Sequence, residues 1–233
     1  MVQQNKGKIF LAEERGHHER DWFRSYNTFN FGQYQQEHKT PFGPLYILND
    51  DTLAGGKGIT MATEADSLLL LIPVVGAITY SDNYGQTNTI EAGECPLYAT
   101  PKDTLVQIGN PYQNELVNFL QIWFYTTGVE ADNGPQIIPF DLVNKTNQLV
   151  PIPVNSTYKF NIGKYKGREE SSYKLSDTRN GLFAFVIQGA FEVQYRLLHP
   201  RDGLALWEAE SVEWEALSNE AILLVMEIPL LHE

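Results

Sequence analysis

The feature that most limits what this 233-residue chain can become is a pattern of short β-type runs that occurs twice. The runs are rich in Val, Ile, Leu, Phe, Tyr and Trp, and each is bounded by Gly, Asn, Asp or Pro, while helical periodicity is scarce. Leu68–Val75, Ala77–Ser81, Asn118–Tyr125, Leu182–Ile187, Phe191–Leu198 and Ile222–Ile228 are the clearest strands. Phe191–Leu198 and Val212–Ala216 alternate apolar with polar, as half-buried strands do. In each half an apolar run enters a Gly-Ala pair, Gly76-Ala77 and then Gly189-Ala190, 113 residues apart. A second glycine follows in each, Gly93 and Gly203, 110 residues apart, and a hydrophobic strand closes both halves. Two copies of one unit are expected. One antiparallel barrel per half is the economical architecture, because closure removes exposed sheet edges. The expected divisions are a first barrel over residues 1–128, a connector over 129–159 and a second barrel over 160–233.

Charge and cysteine content narrow the function. Lys plus Arg number 17 against 29 Asp plus Glu, a formal charge of −12, so direct nucleic-acid binding and anionic membrane surfaces are not expected. Arg201 to Glu233 holds eight carboxylates and one arginine, which predicts a negative surface there. A single cysteine, Cys95, excludes an intramolecular disulfide and fits a reducing compartment. The polar first sixteen residues do not read as a signal peptide, and the longest apolar run, Leu68–Ala77, is broken by Pro73 and Gly76. The expectation is a cytoplasmic protein.

Several blocks together resemble the pirin-like proteins. These are Arg15-Gly16-His17, Trp22 and Thr28–Tyr34; Phe42-Gly43-Pro44-Leu45 with Leu48-Asn49-Asp50-Asp51; and Ser81-Asp82, Ala92-Gly93-Glu94 and Leu120–Trp123. The resemblance spans residues 10–125 and continues more loosely to Asp202–Trp207, which is similar to the second domain of pirin-like proteins with quercetinase-type activity. It implies an all-β chain of two double-stranded β-helix (cupin) barrels. It also implies a first barrel that, in the family, binds iron, nickel, manganese or another divalent metal through three histidines and a glutamate.

Position by position, this sequence departs from that ligand set. Anchored on Gly58-Ile59, the first two histidines fall at Ala62 and Glu64; anchored on Gly93-Glu94, the remaining histidine and glutamate fall at Val106 and Ile108. Only Glu64 can donate to a metal, whereas a catalytic site needs several convergent donors. The remaining histidines, His17, His18, His38, His199 and His232, show no ligand spacing. No catalytic residue, metal or other cofactor is therefore expected. The reading is a non-catalytic binding or regulatory bicupin whose partner is an unidentified small molecule or protein, with Glu64 lining the first barrel. The alternative is a quercetin 2,3-dioxygenase-like enzyme with an altered ligand set that includes Glu64. A second alternative is redox sensing through Cys95.

Overall fold

The structure, a computed structural model, describes residues 5–127, 135–153 and 157–230. Among these, one 3-10 turn (Ala12–Glu14) is the helical structure, and no helix is long and apolar enough to cross a membrane. The chain forms two compact units. One strand, β1 (Lys6–Phe10), precedes the first unit in sequence yet belongs to the second.

The first unit, Gly16–Pro139, contains β2 (Gly16–Arg20), β3 (Phe23–Asn27), β4 (Leu45–Leu53), β5 (Gly58–Ala62), β6 (Ser67–Val75) and β7 (Ile78–Asp82). It continues with β8 (Thr87–Ile90), β9 (Glu94–Thr100), β10 (Leu105–Gly109), β11 (Val117–Tyr125) and β12 (Gln136–Pro139). They pair as a seven-stranded sheet, β12-β9-β6-β11-β4-β3-β2, and a four-stranded sheet, β5-β10-β7-β8. One buried cluster joins residues of both sheets, Leu69, Leu71, Phe119 and Trp123 with Tyr80, Val106 and Ile108. The alternation of inward and outward residues on each strand produces that core.

The second unit holds β13 (Gln148–Ile152), β14 (Lys159–Tyr165), β15 (Glu170–Lys174), β16 (Asn180–Gln188) and β17 (Phe191–Val193). Then come β18 (Arg196–Leu198), β19 (Gly203–Trp207), β20 (Ser211–Ala216) and β21 (Ala221–Pro229). With β1 they form the sheets β1-β19-β16-β21-β14-β13 and β15-β20-β17-β18. Stripped of its edge strands, the pattern β9-β6-β11-β4 recurs as β19-β16-β21-β14, and β5-β10-β7-β8 as β15-β20-β17-β18. The duplication expected from the glycines is thus a duplication of strand order. Gly76 and Gly189 occupy the same place in it, each with left-handed φ (76° and 74°), and a Cβ on Gly189 would lie 2.8 Å from that of Ala221.

Three details differ from the sequence expectation. The unit boundaries are not at 128 and 160. The segment before Arg15 joins the second unit through β1, which pairs along β19, and the stretch expected as a connector carries β12 for the first unit and β13 for the second. Position 128 itself, and part of that connector, lie outside the described residues. These additions are edge strands, too short to show a period. Finally, Phe191–Leu198 is two strands rather than one. Gln194 and Tyr195, at φ 47° and 60°, make a two-residue turn between Val193 and Arg196. Such a turn leaves the alternation on either side intact, which is why it reads as a single strand.

Candidate binding pocket in the first barrel

Where the resemblance implies metal ligands, the side chains do not converge. Val106 and Ile108 face the first-barrel core and are fully buried in an apolar cluster with the stacked rings of Tyr80 and Tyr98, 3.6 Å apart. Opposite them across the β10–β5 ladder stand Met61 and Ile59, partly buried against the same cluster. Ala62 is exposed at the end of β5, and Glu64 is exposed in the turn beyond it. The expectation that Glu64 lines the barrel is therefore corrected: the strand ends before it, and its side chain is in solvent. Among the described residues no three His, Cys, Asp or Glu side chains form a group able to hold a metal ion, while His232 lies outside them. These positions do not fit a divalent metal.

A different feature occupies the barrel. A cavity of about 280 Å³ opens among β2, β3, β4, β5 and β11. Its walls are Trp22, Phe23, Phe31, Ile59 and Met61; its polar floor is Ser25, Asn49, Asp51 and Gln121; His18 and Arg20 stand at the exposed edge. Strand alternation explains the floor. Ile47 and Leu53 of β4 point into the core, so Asn49 and Asp51 between them do as well, and Gln121 lies between inward-facing Phe119 and Trp123 on β11.

The floor is ordered by a directed chain of hydrogen bonds. Trp123 Nε1 donates to Gln121 Oε1 at 3.2 Å, which turns the Gln121 amide so that its Nε2 donates to Asp51 Oδ2. Asn27 Nδ2 donates to Ser25 Oγ at 3.0 Å, beside Asp51. Two acceptors are left over. Asp51, 1% exposed, has no hydrogen-bond partner at Oδ1, and Asn49, 2% exposed, has none at Oδ1. Buried polar atoms are nearly always paired, so two orphans on one pocket floor are a signal. Desolvation pushes the Asp51 carboxyl from its ordinary 3.8 up to about 7; Ser25 and Gln121 draw it back, and Asp50 adds to the rise. Asp50 points to the other face of β4, where Asn118 Nδ2 donates to it at 2.7 Å.

Cys95 does not have the environment of a sensing thiol. It is fully buried on β9, and burial pushes its thiol well above the usual range, away from the thiolate an oxidant attacks. It packs as a small hydrophobe.

Comparison with known proteins agrees with this architecture. Residues 143–228 match the family described as the quercetinase C-terminal cupin domain. Over 91% of its length the chain is 26% identical to a quercetin 2,3-dioxygenase of Escherichia coli strain K12, covering 95% of that protein, and over 88% it is 22% identical to a pirin-like protein of Caulobacter vibrioides, covering 92% of it. The crystal structure of YhhW from Escherichia coli superimposes with a TM-score of 0.85 at 23% identity, over 98% of this chain and 100% of that one. The chain is a bicupin similar in sequence and in fold to the pirin-like proteins. A nickel(II) complex of bacterial pirin YhhW superimposes with a TM-score of 0.82 at 21% identity, over 97% of this chain and all of that one.

Within this chain the second barrel builds its interior differently. Matching strands by position and pairing, Asp51, which faces Phe119 across the ladder, corresponds to Gly163, which faces Leu223. A Cβ on Gly163 would meet the Tyr165 ring at 2.6 Å, so an aromatic ring fills what is a carboxyl position in the first barrel. Gln121 corresponds to Val225 and Trp123 to Glu227. Glu227 is fully buried and accepts from Tyr173 Oη (2.7 Å), Ser176 N (2.9 Å), Ser176 Oγ (2.6 Å) and Asn180 Nδ2 (2.6 Å). Burial would raise its pKa, but these donors together hold it below the ordinary carboxylate value. The acidic surface expected from the C-terminal sequence includes Glu213 and Glu215, which share a cavity of about 410 Å³ with Glu170 and Glu192.

Sequence alone does not single out the residues that make the pocket; Asn49 and Asp51 stand inside the Leu48–Asp51 block that resembles the pirin-like proteins. The available signal was local: two polar residues at inward positions of a strand whose other inward positions are apolar, which a core does not tolerate without purpose.

Proposed function

We propose that this pirin-like protein is a non-catalytic binding protein that works without a metal ion and takes a small molecule into its first barrel. The observation that carries this reading is the pair of unpartnered oxygens, Asp51 Oδ1 and Asn49 Oδ1, buried on the floor of an aromatic-walled pocket. A concave pocket that sets apolar walls beside a few convergent polar groups is a usual form of small-molecule site. Val106 and Ile108 support the absence of metal chemistry, because an apolar pair stands where two donors would be needed. Elemental analysis of protein expressed with iron, nickel and manganese supplied tests the metal half. Less than a tenth of an equivalent is expected, and stoichiometric metal would overturn it. A thermal-shift screen on wild type and Asp51→Asn tests the binding half, with hits expected to depend on Asp51.

A second reading is favoured by the relatives named quercetin 2,3-dioxygenase: flavonol oxidation with a metal bound through other residues. It predicts quercetin consumption with at least one of iron, nickel, manganese or cobalt, and absence of turnover with all four removes it. The acidic balance supports a small molecule or a protein, rather than nucleic acid or membrane, as the partner, and the lone cysteine supports a cytoplasmic location.

A further inference from the structure

We propose that the ligand of the first-barrel pocket is an organic cation, an amine or amidine on a compact aromatic body, with its N–H groups on Asp51 and Asn49 and its ring among Trp22, Phe23 and Phe31. This rests on the binding reading above and gives it a chemical class.

The floor sets the polarity of the ligand. Asp51 Oδ1 and Asn49 Oδ1 are both acceptors in search of donors, and they project from the same face of one strand, two residues apart. Two donors on the floor are committed, Gln121 Nε2 to Asp51 Oδ2 and Asn27 Nδ2 to Ser25 Oγ, and the Ser25 hydroxyl beside Asp51 offers a single further proton. A group with several N–H donors satisfies both oxygens at once, whereas a single hydroxyl donates only one proton. The walls set the sign of the charge. Trp22 and Phe23, with ring centroids 5.8 Å apart, and Phe31 offer aromatic surface, which attracts cations in desolvated sites. The size of the cavity, about 280 Å³, suits a fragment-sized molecule.

Among the lining residues Asp51 carries the only negative charge. Of the titratable groups around Asp51, Asp50 is turned to the other face of β4, and His18 and Arg20 come from β2 at the exposed edge; the lining residues of β5 and β11 are uncharged. The Asp51 carboxyl thus has no counter-charge on the floor, and a bound cation supplies one. Because Asp51 titrates near 7, seating a cation on it below that pH displaces a proton. Affinity should therefore rise with pH between 6 and 8.

Calorimetric titration of the full chain tests this with four probes: phenethylamine, benzamidine, the neutral 2-phenylethanol and the anionic 3-phenylpropionate. The cations are expected to bind at pH 8 at least tenfold more tightly than the alcohol or the acid. Their affinity should fall about tenfold at pH 6, with a buffer-dependent heat that reports the released proton. Asp51→Asn, which keeps the shape of the floor, should weaken the cations at least tenfold and remove the pH dependence; Trp22→Leu, at the wall, should weaken them severalfold. If the alcohol or the acid binds as well as the cations, and does so through Asp51, the ligand class is wrong while the binding reading stands. Cation binding unchanged in Asp51→Asn would also overturn the class. If no probe binds and the thermal-shift screen gives no Asp51-dependent hit, both fall.

Discussion

Asp51 in the first barrel and Glu227 in the second are both buried carboxylates, and they are handled in opposite ways. Glu227 in the second barrel is surrounded by donors from Tyr173, Ser176 and Asn180, which fasten the turn between β15 and β16 to the central strand β21. Asp51 in the first barrel takes Gln121 at one oxygen and leaves the other bare beside a cavity. A buried charge with a full set of hydrogen bonds is a fastening. One left incomplete lowers stability and stays available to something outside the chain. The same repeat, with its polar positions shifted along the strands, yields a closed interior in one copy and an open one in the other.

The sharpest way to break this comparison is to remove both carboxylates in turn. Glu227→Ala leaves its donors unpaired and should cost about 3–5 kcal/mol in urea unfolding, loosening the segment 176–180 to hydrogen exchange. A loss under about 1 kcal/mol would mean that the array is ornamental. Asp51→Asn should do the reverse at high pH. The folded-state pKa of Asp51 is raised, so its contribution is fully present below about pH 4 and is lost as pH climbs through about 7. The variant should therefore match wild type near pH 4 and exceed it above pH 7 by at most roughly 4 kcal/mol. Glu227 has the opposite sign: its pKa is lowered, so its contribution is present above the unfolded-state value and lost as pH falls through the folded one. An Asp51→Asn gain that does not vary with pH would contradict the assignment.

Smaller effects sharpen the contrast. Tyr173→Phe removes one donor from Glu227 and should cost about 1 kcal/mol, read from the shift in urea midpoint. The smallest effect belongs to Cys95. Intact-mass measurement after brief peroxide treatment should show no adduct in the folded protein and modification only after urea unfolding, and oxidation of the native thiol would restore the sensor reading.

Much of the fold was legible because barrels write alternation and turn residues into sequence. β20 alternates buried with exposed as Val212–Ala216 predicts, and the Gly76/Gly189 pair marks the same left-handed corner in both repeats. What was not legible had local causes. The Gln194-Tyr195 turn contains no glycine, asparagine or aspartate, the usual markers of positive φ. The four positions read as a lost metal site turned out to be of two kinds, Ala62 and Glu64 exposed and Val106 and Ile108 in the core, because sequence spacing does not report side-chain direction where a strand ends. The pocket floor draws Ser25, Asn49 and Gln121 from three strands. No single stretch of sequence could bring them together.

The pairing of β1 with β19 has a consequence for how the chain is made. Lys6 lies against Trp207, about two hundred residues further on, and the whole first unit falls between them in sequence. On the ribosome the first barrel can finish once its own strands have emerged, while β1 waits for a partner synthesised about two hundred residues later. Until then, both that strand and the edge it will cover stay available to other chains. A fragment beginning at residue 140 would keep that edge bare permanently. β1 is the last stitch of the second barrel, made before the first barrel and seated after it.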